Sequence, residues 1–147
     1  MRRISLLVVM ACFAMTSAFA ADVKLEGVKC IVAGKNAAKA DKSADYKDGK
    51  VYFCCDNCPK EFAKDSKKYA SKANAQLVAT AQAKQGKCPL SGGDLDKDTE
   101  ITVGGAKVQF CCNNCKGKVE KATGDDQLNL VFSDEAFKKA AFKVEKK

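Results

Sequence analysis

Short β-type runs of residues flank a turn signal at two places in the chain. Asp-Gly and Gly-Gly between such runs are typical of tight β-hairpin turns, because these residues tolerate positive φ. We therefore predict two hairpins with closely similar lengths. The paired runs and their turns are residues 44–46 and 50–53 around Asp48-Gly49, and residues 100–103 and 107–110 around Gly104-Gly105.

A helical segment is predicted after each hairpin. Pro59 suits the first turn of a helix, where its missing N–H costs nothing. Phe62 follows Cys58 by four residues, and Val119 follows Cys115 by four, so each apolar side chain shares a helix face with its cysteine. Each half of the chain thus reads as hairpin, cysteine turn and helix.

A longer helix is predicted between the two halves. Residues 66–84 are rich in alanine and lack glycine and proline, and Gln85-Gly86 follows as a stop signal. The apolar residues Tyr69, Ala73, Leu77 and Ala81 recur every four positions. This spacing predicts one amphipathic helix that joins the halves.

The C-terminal part is predicted to contain a strand and a helix. Residues 127–132 fit a short strand, and Ser133 is a good N-cap for a terminal helix that carries Phe137 and Phe142 on one side. Strands followed by helices in each half make the expected fold class α+β.

The N-terminus has the pattern of a cleaved signal peptide. Met1-Arg2-Arg3 is cationic, residues 4–14 are apolar but too few to span a bilayer, and Ala18-Phe19-Ala20 fits a cleavage site. We expect residues 1–20 to be removed and the mature chain to be periplasmic or secreted. In a minor alternative, Cys12 is a lipoprotein acylation site.

Composition narrows the possible chemistry of the mature chain. The chain has no histidine and all three methionines precede residue 20, so a metal ion finds only thiolates, carboxylates, carbonyls and water. Histidine-dependent catalysis is excluded, and we expect a protein that is not an enzyme.

The basic excess comes from lysines mixed with acidic residues, so we predict solvated helix faces, no nucleic-acid partner and no stable membrane insertion.

A cysteine pattern occurs twice. Residues 53–58 read FCCDNC and residues 110–115 read FCCNNC, with Cys30 and Cys88 upstream. The upstream cysteines are offset by 58 residues and the motifs by 57, so one residue was gained or lost between them. We interpret the chain as a tandem duplication with a first cysteine module at residues 21–65, a helical linker at 66–85 and a second module at 86–147.

The pattern brings three thiols of each half together. A strand delivers Cys54, a helix that starts near Cys58 presents the next thiol, and Cys30 closes from the preceding loop. Backbone amides and the dipole at a helix start favour a thiolate. Small modules of this size often need disulfides or a metal for stability.

The first half resembles the YHS and TRASH domains in Cys30, the run Gly49-Lys50-Val51-Tyr52-Phe53-Cys54, Cys58 and Phe62. The resemblance covers roughly residues 28–69 and 86–121, and implies small treble-clef-like modules that bind heavy metals. It assigns metal binding to Cys30, Cys54 and Cys58 and to Cys88, Cys111 and Cys115. Cys55 and Cys112 depart from the family, where serine is common.

Three thiolates without histidine suit soft ions, so we expect Zn(II) or Cu(I), about one per module. Cys55, Asp56 or water would complete a zinc site, and a calcium or magnesium site is not expected. An iron–sulfur cluster is a weaker alternative, because exported chains rarely receive clusters. The expected metal ligands, with the two additional thiols, are Cys30, Cys54, Cys55, Cys58, Cys88, Cys111, Cys112 and Cys115.

Three other interpretations remain open from the sequence. The eight mature cysteines could form four disulfides in an oxidising compartment, which would make the protein structural. Residues 55–58 and 112–115 could act as CxxC dithiols of a thiol–disulfide oxidoreductase. The lysine-rich helices could bind an acidic protein partner, whose identity the sequence does not indicate.

Overall fold

The structure is a computed structural model and describes residues 23–145. The predicted signal peptide, its cleavage site and Cys12 lie outside the described residues, as do Lys146 and Lys147. Within the described part, the chain is a small mixed protein of short helices and three two-stranded antiparallel sheets. None of the helices in this part combines the length and the apolar character needed to cross a membrane.

The first hairpin is confirmed. Strand β1 (Lys39–Tyr46) pairs antiparallel with β2 (Gly49–Phe53), and Tyr46 lies opposite Gly49. The turn residues are therefore Lys47 and Asp48, both at positive φ (46° and 58°), one position earlier than the Asp-Gly signal indicates. Positive φ at both central positions matches the right-handed twist of the strands.

The helix after this hairpin is also confirmed. Helix α1 (Asn57–Lys64) buries Cys58 and Phe62 on one face, as the four-residue spacing predicts. The Phe62 ring lies 5.6 Å from the rings of both Tyr46 and Phe53. These aromatic contacts hold α1 against its own hairpin, so the turn between β2 and α1 has a defined shape.

The central helix is shorter than predicted. A 3₁₀ helix (Ser66–Tyr69) leads into α2 (Ala70–Ala79), and Ala81 has a positive φ of 57° that ends the helix. The prediction that it continues to residue 84 is wrong. Residues beyond Ala79 form tertiary contacts instead, since β3 (Ala83–Lys84) pairs with a short strand at the C-terminus.

The second hairpin and its helix repeat the first pair and are confirmed. Strand β4 (Asp96–Val103) pairs with β5 (Ala106–Phe110) across Gly104 and Gly105, which have φ of 58° and 85°. Helix α3 (Asn113–Lys121) follows and buries Val119. Both long strands carry an irregularity in their register, which lies between Lys39 and Ser43 in β1 and between Asp96 and Ile101 in β4.

The C-terminal region contains a helix where we predict a strand. Residues 127–132 belong to α4 (Gly124–Phe132), whose first turn holds Asp125 and Asp126, where the helix dipole favours acidic side chains. The Ser133 cap is confirmed: its hydroxyl accepts a hydrogen bond from the backbone N–H of Ala136 at the start of α5 (Asp134–Lys139). Strand β6 (Lys143–Val144) then pairs with β3.

The buried side chains of both halves form one continuous core. Helix α2, predicted as a linker, lies in its centre and packs against β2, β5, α4 and α5. Leu77 is fully buried there, and the Asn74 amide donates to the backbone carbonyl of Phe132 at 2.8 Å. The two cysteine regions are therefore attached to a shared apolar interior.

Candidate metal centres

Three cysteines of the first half converge from three different elements. Cys30 lies in the loop before β1, Cys54 directly follows β2, and Cys58 lies in the first turn of α1. Their sulfur atoms all lie within 4.8 Å of one another, and the Cys54 and Cys58 sulfurs are 3.7 Å apart. Cys30 and Cys58 are buried and Cys54 is half-buried. We call this cluster triad 1.

The second half builds an equivalent cluster, triad 2, from Cys88, Cys111 and Cys115. These residues occupy the corresponding loop, strand end and helix start. The sulfurs again lie within 4.8 Å of one another, with 3.7 Å between Cys111 and Cys115. Among residues 23–145, no carboxylate belongs to either cluster.

A tight loop presents the first cysteine of each triad. The N–H of Cys30 donates to the carbonyl of Asn36, and the N–H of Gly34 donates back to the carbonyl of Cys30, both at 2.8 Å. In triad 2, Cys88 pairs in the same way with Gly93 and Gly92. The first loop therefore closes six residues after its cysteine and the second closes five after it, which locates the predicted one-residue insertion.

Two glutamine side chains support the strand that leads to triad 1. Strand β2 pairs only with β1 in the described part of the chain. On its other edge, the Gln76 amide accepts from the N–H of Tyr52 at 2.6 Å and donates to the carbonyl of Tyr52 at 3.0 Å. Gln82 forms the same pair of bonds with Lys50. These amides satisfy backbone groups that another strand would otherwise pair.

Triad 2 has a corresponding support. The Gln85 amide accepts from the N–H of Gln109 at 2.9 Å and donates to its carbonyl at 2.7 Å. Gln109 and Tyr52 both stand two residues before the strand cysteine of their triads. Sequence reasoning missed these glutamines, and the only signal was their position in or just after an otherwise alanine-rich apolar helix.

The environment of triad 1 stabilises one thiolate. Burial raises the pKa of Cys30, but hydrogen bonds from the backbone N–H groups of Ala33, Cys54 and Val32 outweigh it and lower that pKa overall. Burial raises the pKa of Cys58, and hydrogen bonding to Cys55 and Cys30 raises it further. In the metal-free cluster, Cys30 thus deprotonates more readily than Cys58, and the Cys58 thiol stays protonated.

In triad 2 the pKa of the loop cysteine is again lowered and that of the helix cysteine is again raised. Burial raises the pKa of Cys88, yet hydrogen bonds from the Ser91 hydroxyl and from the N–H groups of Ser91, Cys111 and Leu90 lower it to about 6. Burial and the neighbouring thiols Cys111 and Cys112 raise the pKa of Cys115 to about 12. The Cys88 loop is therefore preorganised to hold a thiolate, which is the form that ligates metals.

The two additional thiols lie beside the triads rather than within them. Cys55 is exposed, and its sulfur lies 3.4 Å from the Cys58 sulfur. Cys112 is half-buried, and its sulfur lies 3.7 Å from that of Cys111. Asp56, the other predicted fourth ligand, pairs with Lys42 at 2.7 Å, which lowers the pKa of its carboxyl.

The distances between the sulfur atoms fit a soft metal ion. A tetrahedral site with Zn–S bonds of about 2.3 Å places two sulfurs about 3.8 Å apart. The strand and helix cysteines of each triad, 3.7 Å apart, meet this requirement without rearrangement. Three sulfurs leave one side of a tetrahedron open, and in triad 1 the nearest further donor is Cys55.

The fold and these clusters define a small mixed helix and sheet protein with two cysteine groups, each able to hold one metal ion. Comparison with family models, with curated proteins and with solved structures found no match. The likeness to YHS and TRASH domains therefore rests on the residues of the cysteine frame.

Proposed function

We propose that this protein binds one soft metal ion, Zn(II) or Cu(I), at each of its two cysteine triads. The observation that carries the proposal is the repeated convergence of three sulfurs, from a loop, a strand end and a helix start, within 4.8 Å. The convergence of three sulfurs in both halves is difficult to explain as core packing, because buried free cysteines pack like small apolar residues and need no common centre.

The donor set supports a soft ion over a hard one. Thiolates prefer Zn(II) and Cu(I), whereas calcium and magnesium require oxygen ligands. The N–H groups around Cys30 and Cys88 stabilise these sulfurs as anions, which lowers the cost of releasing protons when a metal binds. The bound ion is held by the triad residues, and Cys55 or water completes its coordination.

We further propose that each half is a YHS/TRASH-like, treble-clef-like module of an exported, non-enzymatic protein. The cysteine frame within a hairpin-to-helix turn supports the module, and the leader pattern of residues 1–20 supports export. In an oxidising compartment metal binding competes with disulfide formation, so a bound ion also protects the thiols.

Metal content of the mature protein tests the proposal. Protein prepared anaerobically with reductant is dialysed, loaded with Zn(II) or Cu(I), and analysed by native mass spectrometry. We expect two ions per chain, one for each triad. Reduced, folded protein that retains no ion would contradict the proposal. A metal-free product eight hydrogens lighter than the reduced chain would favour the disulfide alternative instead.

A further inference from the structure

The two halves differ at the additional cysteine, although their triads correspond. In the first half, Cys55 and Cys58 are three residues apart across the start of α1, and their sulfurs lie 3.4 Å apart. Residues three apart at a helix start have neighbouring Cβ atoms, which suits a disulfide. This pair is a CxxC dithiol that shares one member with triad 1.

In the second half the additional thiol has a different neighbour. The Cys112 sulfur contacts that of Cys111 at 3.7 Å, and these residues are adjacent in sequence. Cys115 also lies near enough for its thiol to interact with that of Cys112. Cys112 has an extended backbone, with φ of −168° and ψ of 166°. Adjacent side chains of an extended segment point to opposite faces, so a disulfide between them requires a strained ring. The 3.4 Å contact of Cys55 thus joins the two ends of a CxxC motif, whereas the 3.7 Å contact of Cys112 joins adjacent residues.

The difference in exposure between Cys55 and Cys58 determines which of the two thiols reacts first. Cys55 is exposed and Cys58 is buried, so an incoming reagent reaches Cys55 first. The Cys58 sulfur is then already in place to attack Cys55. An exposed attacking thiol with a neighbouring buried thiol suits exchange with a disulfide substrate, because the rate of exchange depends on access to the attacking sulfur.

We propose that Cys55 and Cys58 form a thiol–disulfide exchange site, whose substrate is a low-molecular-weight or protein disulfide, and that its oxidation releases the ion held by triad 1. The release part rests on the proposed function. The exchange part applies equally to the metal-free protein. Triad 2 keeps its ion under the same conditions.

The reaction balances in two steps. The Cys55 thiolate attacks one sulfur of the substrate disulfide, forms a mixed disulfide and expels one substrate thiolate. The Cys58 thiol then gives its proton to the first expelled thiolate or to water, and its sulfur attacks the Cys55 sulfur, closes the Cys55–Cys58 bond and expels the second thiolate. Two electrons pass from the cysteines to the substrate, and the expelled thiolates take protons from water or from the former thiols. Cys30 and Cys54 remain as free ligands, which are too few to hold the ion.

Oxidised glutathione and zinc-loaded mature protein provide the test. Released zinc is measured with a chromogenic chelator, and disulfides are mapped on tryptic peptides after alkylation. Residues 51–60 and 108–116 fall on separate peptides, so each half is read independently. We expect release of one ion per chain, with a Cys55–Cys58 bond in the first peptide and reduced cysteines in the second.

Two serine variants complete the test. We expect Cys55→Ser to slow both zinc release and oxidation of the first peptide by at least about tenfold, because no exposed attacking thiol remains. Cys112→Ser should behave like the parent. Equal oxidation rates of the two peptides, a Cys54–Cys58 bond, or a Cys55→Ser variant as fast as the parent would overturn the proposal.

Metal-free protein separates this inference from the proposed function. If the reduced chain binds no zinc, the proposed function fails, yet peptide mapping with oxidised glutathione still reports on Cys55 and Cys58. If zinc binds and the first peptide resists oxidation, the metal sites stand and the exchange site does not.

Discussion

The side chain of Gln76 forms two hydrogen bonds with the backbone of Tyr52, and so acts in place of a neighbouring strand. Gln76 lies on α2, in the middle of the core, and is almost fully buried. Tyr52 stands two residues before Cys54. This pair therefore connects the central helix directly to the strand end that delivers a sulfur to triad 1.

Replacement of Gln76 by alanine should destabilise the protein. The substitution leaves the buried N–H and carbonyl of Tyr52 without partners, at a cost of about 2–4 kcal/mol in free energy of unfolding. Urea denaturation of the reduced protein measures the change. Gln85→Ala is the matched control, since Gln85 makes the same bonds to Gln109 from a less buried position, and its loss should be smaller. An equal or smaller loss for Gln76→Ala would contradict this account.

Each triad should bind its metal independently of the other. Cys30→Ser and Cys88→Ser each remove one sulfur from one cluster, so each variant should retain one ion instead of two. Native mass spectrometry of the loaded proteins measures this. Cys112→Ser is the control and should retain both ions, because Cys112 lies outside triad 2. Loss of both ions in either triad variant would show that the sites depend on one another.

The stability of the metal-free, reduced protein should rise between pH 6 and pH 9. Hydrogen bonds lower the pKa of Cys88 from 9.0 to about 6 in the folded state, so over this interval the unfolded chain binds more protons. The stabilisation is fully present above pH 9 and disappears as the pH falls through 6. Above pH 9 the trend reverses, because the raised pKa of Cys115, about 12, keeps that thiol protonated only when folded.

Chemical denaturation across this pH range measures the slope, and Cys88→Ser should flatten it. The ultraviolet absorbance of the thiolate provides a second measurement, since one thiolate should appear in the folded protein well below pH 9. A Cys88→Ser variant with the same slope as the parent would contradict the assignment.

Two glycines should respond to alanine in opposite directions. A Cβ at Gly49 would lie 2.8 Å from a Leu77 methyl carbon and 3.1 Å from atoms of Gln82 and Val144, so Gly49→Ala should cost about 1–3 kcal/mol. A Cβ at Gly117, inside α3, meets nothing within 4 Å. Gly117→Ala should therefore stabilise the protein by about 0.5–1 kcal/mol through helix propensity. Thermal or urea unfolding of both variants distinguishes them, and a stabilising Gly49→Ala would refute the packing described.

The sequence correctly predicted the elements whose formation depends on residues close together along the chain. The two hairpins, the helices that bury Phe62 and Val119, and the Ser133 cap depend on turn residues, spacing and a single hydroxyl. Each of these acts within a few residues along the chain. For the same reason, the convergence of Cys54 with Cys58 and of Cys111 with Cys115 followed from a strand end joined to a helix start.

The secondary-structure predictions failed in segments whose conformation depends on contacts with residues far away in the sequence. The central helix ends at Ala79 instead of residue 84, because Gln82 bonds to Lys50 and Ala83 pairs with β6, more than 30 residues away in either direction. Residues 127–132 are helical because Val131 and Phe132 pack into the core from one face of α4. A short apolar run fits a strand or a helix equally well, so only its packing partners distinguish them.

In the cysteine sites, too, some properties follow from the sequence and others only from the folded structure. The amino-acid sequence alone determined that two sets of four thiols exist, that soft ligands dominate, and that three thiols of each set could meet, since residue type and spacing control these properties. The folded arrangement determined that the Cys55 sulfur lies 3.4 Å from that of Cys58, and that the Cys112 sulfur lies 3.7 Å from that of Cys111. It also determined that glutamines from the shared central region support both strands. Side-chain direction and long-range pairing depend on three-dimensional packing, which no local pattern in the chain encodes.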